Sequence, residues 1–66
     1  MQITINGQPK NFNSPTQLSD VIAQFCKNTS RVIAELNGDI VKKTSWNTTS
    51  VKDGDTVELV SFVGGG

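Results

Sequence analysis

The sequence predicts an α+β domain in which one helix packs on a mixed sheet of four to five strands. Three observations predict it. Two stretches, Met1–Ile5 and Val32–Leu36, alternate in polarity with a period of two, and each runs into an Asn-Gly pair, Asn6-Gly7 and Asn37-Gly38. Between them, Leu18, Val21, Ile22 and Phe25 recur at the spacing of one helical face. A last alternating run, Thr56–Phe62, follows the turn residues Asp53-Gly54-Asp55.

Met1-Gln2-Ile3-Thr4-Ile5 reads as a half-buried strand, and Asn6-Gly7 supplies the two positive-φ residues of a tight type I′ hairpin turn. The return strand is expected over Gln8–Asn13. Phe12 is its one large apolar residue, and Pro9 assigns it to a sheet edge because proline has no N–H to give a ladder. Ser14-Pro15-Thr16-Gln17 reads as a helix start: Ser14 accepts from first-turn amides, Pro15 is pre-set at the first helical position, and Gln17 reaches back, with Thr16 as the rival cap. The apolar stripe then faces a core while Asp20, Gln24 and Lys27 face water, and Asn28-Thr29-Ser30 ends the helix.

Val32, Ala34 and Leu36 alternate with Ile33 and Glu35, and Asn37-Gly38 turns the chain into Ile40 and Val41 as a second hairpin. From Lys42 to Ser50 the pattern is irregular and Trp46 is its expected anchor. The order is ββαβ(β)β. A lone amphipathic helix must bury its stripe on something, and two hairpins joined into one sheet offer a matching apolar face. This is a β-grasp arrangement, with the last strand central, parallel to the first, and the helix in the crossover. The expected division is a β-grasp domain over 1–63 and a flexible glycine tail over 64–66.

Composition narrows the function. A chain of 66 residues buries only about 60% of the surface its unfolded form exposes, leaving little room for a substrate cleft. Catalysis is expected to come from partner enzymes, with this chain as carrier or co-substrate rather than enzyme. The formal charge is zero and the longest basic run is Lys42-Lys43, which is no footprint for nucleic acid. Neither a secretory leader nor a membrane span is recognisable, so a cytoplasmic monomer away from membranes is expected. With one cysteine, Cys26, and no histidine, disulfides, zinc sites and Cys-His catalysis lack their raw material.

What remains is the end, Gly64-Gly65-Gly66. Glycine loses the most backbone entropy on ordering, so such a tail is expected to be mobile when free. Without Cβ atoms it is also thin enough to thread through a narrow channel and bring a terminal carboxylate to a reactive centre. On residues alone, a frayed end or a cloning remnant looks the same.

The chain from end to end resembles the sulfur carriers of thiamine biosynthesis, the ThiS family, which are relatives of the molybdopterin synthase small subunit and of ubiquitin. The resemblance is carried by Met1-Gln2-Ile3-Thr4-Ile5-Asn6-Gly7, by Ala34-Glu35-Leu36-Asn37-Gly38-Asp39-Ile40-Val41, by Asp53-Gly54-Asp55-Thr56-Val57-Glu58-Leu59 and by Phe62-Val63-Gly64-Gly65-Gly66. It implies that an E1-like, ATP-dependent adenylyltransferase activates the Gly66 carboxylate, that a persulfide donor converts it to a thiocarboxylate, and that the sulfur goes to thiazole synthase. Gly64 and Gly65 would thread the tail, and no cofactor would be bound by the carrier itself, ATP being used by its partner. Two readings stay open beside it. A ubiquitin-like modifier, or a sulfur carrier for molybdopterin synthesis, would share the ending; an interaction module would leave the tail idle.

Strand alternation places Val57 and Leu59 in the core with Val32, Ala34 and Leu36, and puts Ile33, Val60 and Phe62 on the open face as a candidate docking patch. Cys26 lacks a neighbour to activate it and reads as a small packed or partly exposed thiol. Asp53-Gly54-Asp55 lacks the remaining ligands of a calcium loop and reads as a turn. Asn28-Thr29-Ser30 and Asn47-Thr48-Thr49 match the glycosylation pattern but read as polar loops, and Lys42-Lys43 with Arg31 reads as a solvated face or a pairing site for acids on an enzyme.

Overall fold

The computed structural model of the chain describes residues 1–13 and 15–61. Its strands and helix, in chain order, are β1 (Gln2–Ile5), β2 (Gln8–Asn11), β3 (Thr16–Gln17), α1 (Leu18–Phe25), β4 (Val32–Leu36), β5 (Asp39–Val41), β6 (Ser50–Val51) and β7 (Thr56–Ser61). Short 3-10 turns occupy Thr29–Arg31 and Lys43–Thr48.

Five strands form one sheet in the order β2-β1-β7-β4-β5, and β3 pairs with β6 in a small second sheet. The central β7 runs parallel to β1, with Thr4 opposite Thr56 and Ile5 opposite Val57, and antiparallel to β4, with Leu36 opposite Val57 and Val32 opposite Ser61. This is the expected β-grasp topology, with Pro9 on the edge strand β2. Asn6 and Asn37 take φ values of 50° and 52°, followed by Gly7 at 81° and Gly38 at 90°. Such left-handed pairs are what Asn-Gly tolerates and most residues do not, so both hairpins turn where the sequence places them.

The core lies between α1 and one face of the sheet. Ile3, Leu18, Val21, Ile22, Ala34 and Val57 have no exposed surface, and each large apolar side chain among them contributes about 1.5–3 kcal/mol on burial. Leu36 and Leu59 are half-buried against this cluster. Trp46 closes the lower edge: its ring is buried and its Nε1–H donates to the Val41 carbonyl at 2.9 Å. The irregular Lys42–Ser50 stretch is therefore a 3-10 turn anchored by tryptophan, followed by the two residues of β6.

Several boundaries differ from the sequence reading. The helix starts at Leu18, so Pro15 is not its first position, and Gln17 precedes it without a side-chain capping bond; Ser14 lies outside the described residues. Thr16 and Gln17 are taken by pairing with Val51 and Ser50, and the Leu18 N–H donates to the Thr49 carbonyl at 2.8 Å. A backbone carbonyl brought in by the chain's second half does the work of a cap. The Gln17 Oε1, expected to reach back, is buried without a partner among the described residues. The helix ends at Phe25, because Cys26 is already extended, and Asn28 caps the next 3-10 turn by accepting from the Ser30 N–H.

Phe25, expected in the core stripe, is 44% exposed. It is the last helical residue, and it leans toward the edge strand where the Lys10 ammonium sits 5.9 Å from its ring centroid, a cation–π contact. Strand β2 stops at Asn11, two residues short, because its partner β1 begins at Gln2; Phe12 and Met1 still exchange backbone bonds of 2.8 and 3.0 Å just beyond the ladder.

Candidate functional site: the last strand and the open sheet face

The tail expected to carry the chemistry, Gly64, Gly65 and Gly66, lies outside the described residues, as does Phe62. The structure does describe the strand that leads to them. Strand β7 has six residues, but β1 accompanies it only as far as Val57. The groups of Leu59 that point to the β1 side would face water, and Asn6 takes them. Its Oδ1 accepts from the Leu59 N–H at 2.7 Å and its Nδ2 donates to the Leu59 carbonyl at 3.2 Å. A primary amide carries one acceptor and two donors, so it stands in for a peptide group of the missing strand.

Asn37 bonds to the start of β7 and to the turn before it. Its Oδ1 accepts from the Thr56 N–H at 2.9 Å and its Nδ2 donates to Asp55 Oδ1 at 3.0 Å. The strand leading to the tail is thus held by the asparagines of the two hairpin turns, at its first residue Thr56 and at Leu59. The sequence reading used these residues only for their turn conformation. A hint lay in the residue type, since aspartate would serve the turn but could not donate.

Asp53 and Asp55 are taken up by backbone amides and, for Asp55, by Asn37 as well. Asp53 Oδ1 accepts from the Gln2 N–H and Asp55 Oδ2 from the Lys52 N–H, both at 2.7 Å. No group of metal-ligating side chains occurs among the described residues, and the aspartates make a turn as expected. Cys26 is half-buried against the core.

On the face away from the helix, Ile33 of β4 stands directly opposite Val60 of β7, and they are 41% and 53% exposed. Both of the described docking candidates therefore lie side by side on open surface. The next pair along is Glu35 opposite Glu58, and Ile40 of the edge strand β5, opposite Glu35 on its other side, is 69% exposed. Ile40 was not singled out from sequence, although it alternates with Val41 and so had to face outward once Val41 packed against the core.

A mixed five-stranded sheet on one helix, with its middle strand leading into a triple-glycine sequence, places the chain in the ubiquitin-like β-grasp class. The comparisons with known proteins narrow this. The family model for the ThiS family matches residues 3–66. The sulfur carrier protein ThiS of Bacillus subtilis is 31% identical over 65 residues, covering 97% of this chain and 98% of that one. A crystal structure of the thiamine biosynthesis protein ThiS from Geobacter metallireducens superposes with a TM-score of 0.85 at 33% identity, covering both chains fully. A thiazole synthase of Paramagnetospirillum magneticum is 35% identical over all 66 residues, of which this chain spans only 20% of the length. The chain belongs to the ThiS family.

Proposed function

We infer that this chain is a sulfur carrier of thiamine biosynthesis whose reactive group is the Gly66 carboxylate. The observation that carries the reading is the end-to-end match to the Bacillus subtilis carrier, in a family match that runs through Gly66. A carboxylate is a poor electrophile until one oxygen becomes a good leaving group. An E1-like adenylyltransferase would use ATP to form the acyl-adenylate and release pyrophosphate. The terminal sulfur of a persulfide then attacks the acyl carbon and AMP leaves. Cleavage of the S–S bond by a thiol reductant leaves the thiocarboxylate, the form that hands sulfur on.

Thiazole synthase is the acceptor this reading favours. A thiazole synthase relative contains, within one chain, a stretch similar to the whole of this one, and joining two modules raises the effective concentration of one at the other. Gly64 and Gly65 give the tail a profile narrow enough to enter such an enzyme. Ile33 and Val60, adjacent on the open face, form the docking surface, with Phe62 following in sequence.

The test is the intact mass of the protein after incubation with the adenylyltransferase, ATP and a persulfide donor from the same organism. Replacement of one carboxylate oxygen by sulfur adds about 16 mass units, and fragmentation is expected to place it at Gly66. An unchanged mass, or an isopeptide adduct on other proteins in place of the sulfur shift, would overturn the carrier reading.

A further inference from the structure

Strand β7 loses its β1 neighbour after Val57. In a parallel ladder one residue bonds to two alternate residues of the next strand, and Asn6 does this with half of its side chain in place of its carbonyl. Its N–H donates to the Val57 carbonyl at 3.0 Å, and its amide oxygen accepts from the Leu59 N–H. The amide nitrogen adds a bond to the Leu59 carbonyl. Past Leu59, Val60 and Ser61 pair with β4 alone among the described residues, opposite Ile33 and Val32. The type I′ turn needs only a residue that accepts positive φ, which aspartate or glycine also provides. Use of both halves of the amide is a separate demand, and the turn does not account for it.

That demand falls at the functional end of the strand. Val60, the residue after Leu59, belongs to the open-face patch, and Gly66 is the fifth residue beyond Ser61. Five residues reach at most about 17 Å, so a partner docked on Ile33 and Val60 meets the Gly66 carboxylate at a distance set by where the sheet releases the chain. We propose that Asn6 is a positioning residue for activation of that carboxylate: by pinning Leu59 on the side that β1 has left, it fixes the origin of the terminal stretch relative to the docking face. This rests on the carrier reading of Gly66, in which a carboxylate oxygen bonds to the α-phosphorus of ATP and pyrophosphate leaves. Without the pin, the last residues of β7 hang on a single neighbour, and strand ends so held fray. Each freed residue enlarges the volume that the terminus samples and lowers its effective concentration at a reactive centre. A misplacement of about 1 Å is enough to cost up to about a hundredfold in rate.

Asn37 supplies the control, since its amide braces the same strand at its first residue, Thr56. In the full chain, Asn6→Gly and Asn37→Gly each keep a residue that accepts the positive φ of its turn and delete the amide. Both are expected to lower Tm by about 4–8 °C. Below both melting transitions, carrier-dependent exchange of labelled pyrophosphate into ATP is followed with the adenylyltransferase of the same organism, the carrier being the varied substrate. Asn6→Gly is expected to lower kcat about tenfold and to leave KM within about twofold, because the docking face is untouched. Asn37→Gly is expected to keep both within about twofold. Equal loss of kcat in the two variants would make Asn6 a structural brace and overturn the inference. Native kcat in Asn6→Gly would overturn it too, as would a rise in KM alone, which would place Asn6 in the docking contact. If the native chain itself supports no exchange, the carrier reading falls and takes this inference with it.

Discussion

On the helix side of the sheet, Ile3, Ala34 and Val57 have no exposed surface, whereas on the opposite face of the same sheet Ile33, Glu58 and Val60 are exposed. Both faces are built from the same strands with the same ladder bonds, and only side-chain parity separates them. The inner face is apolar because it must be: a domain of this size has about 3–10 kcal/mol of net stability to draw on, and its inner face has to supply it. The outer face holds apolar residues and two like charges that contribute little to stability. The difference teaches that the inner face is what the fold requires, while the exposed apolar residues of the outer face are not required by it.

The contrast breaks most sharply at the inner face. Ile3→Ala removes a fully buried side chain opposite the helix, and large-to-small changes in a packed core cost about 2–5 kcal/mol. That is most of the stability available, so the variant is expected to be largely unfolded at 37 °C, as urea denaturation read by tryptophan fluorescence would show through Trp46. A midpoint near the native one would mean that the core does not depend on this contact.

Intermediate effects are expected at the edges where the faces meet. Asn6→Gly keeps a residue that accepts the positive φ of the turn but deletes the amide that holds Leu59. It is expected to cost about 1 kcal/mol, the net worth of such hydrogen bonds. Asn6→Ala adds the strain of a left-handed alanine, about 1–2 kcal/mol more. Hydrogen exchange should localise the Asn6→Gly effect to the Leu59 amide. Uniform loss of protection along β7 would show that Asn6 acts on the whole strand.

Much of this was legible in the sequence, and what was not has a common physical cause. Period-two alternation and two Asn-Gly pairs gave the hairpins and the outward direction of Ile33 and Val60, because each of these is decided within a few residues; the central last strand, parallel to the first, came from the rules for packing one helix on two joined hairpins. The helix start failed because it is decided at a distance: the carbonyl of Thr49, some thirty residues on, satisfies the Leu18 N–H and displaces Pro15 from its expected role. Phe25 fits the stripe by spacing, but where a helix ends relative to the sheet edge is a tertiary matter. The clamps on β7 were hidden for the same reason, since Asn6 and Leu59 are remote in sequence. The glutamate pair became visible only through register, which sets Glu35 beside Glu58 and cannot be counted off a single strand.

The smallest effect on stability, and the most telling, is expected at the outer face. Ile33→Thr and Val60→Thr keep the β-branched shape that suits a strand while adding polarity, and at positions 41% and 53% exposed they should move the unfolding free energy by about 0.5 kcal/mol or less. Their effect on binding is expected to be far larger, about tenfold or more each, as for residues near the centre of an interface. Calorimetric unfolding and titration of the same samples would set the two numbers side by side. Unchanged affinity for both thiazole synthase and the adenylyltransferase would remove the outer face as a docking surface and leave the glycine tail alone to recruit its enzymes. Loss of affinity for both at native stability would show that the two faces of the sheet answer to separate demands: the inner one to folding, the outer one to partners that must take turns on the same few side chains.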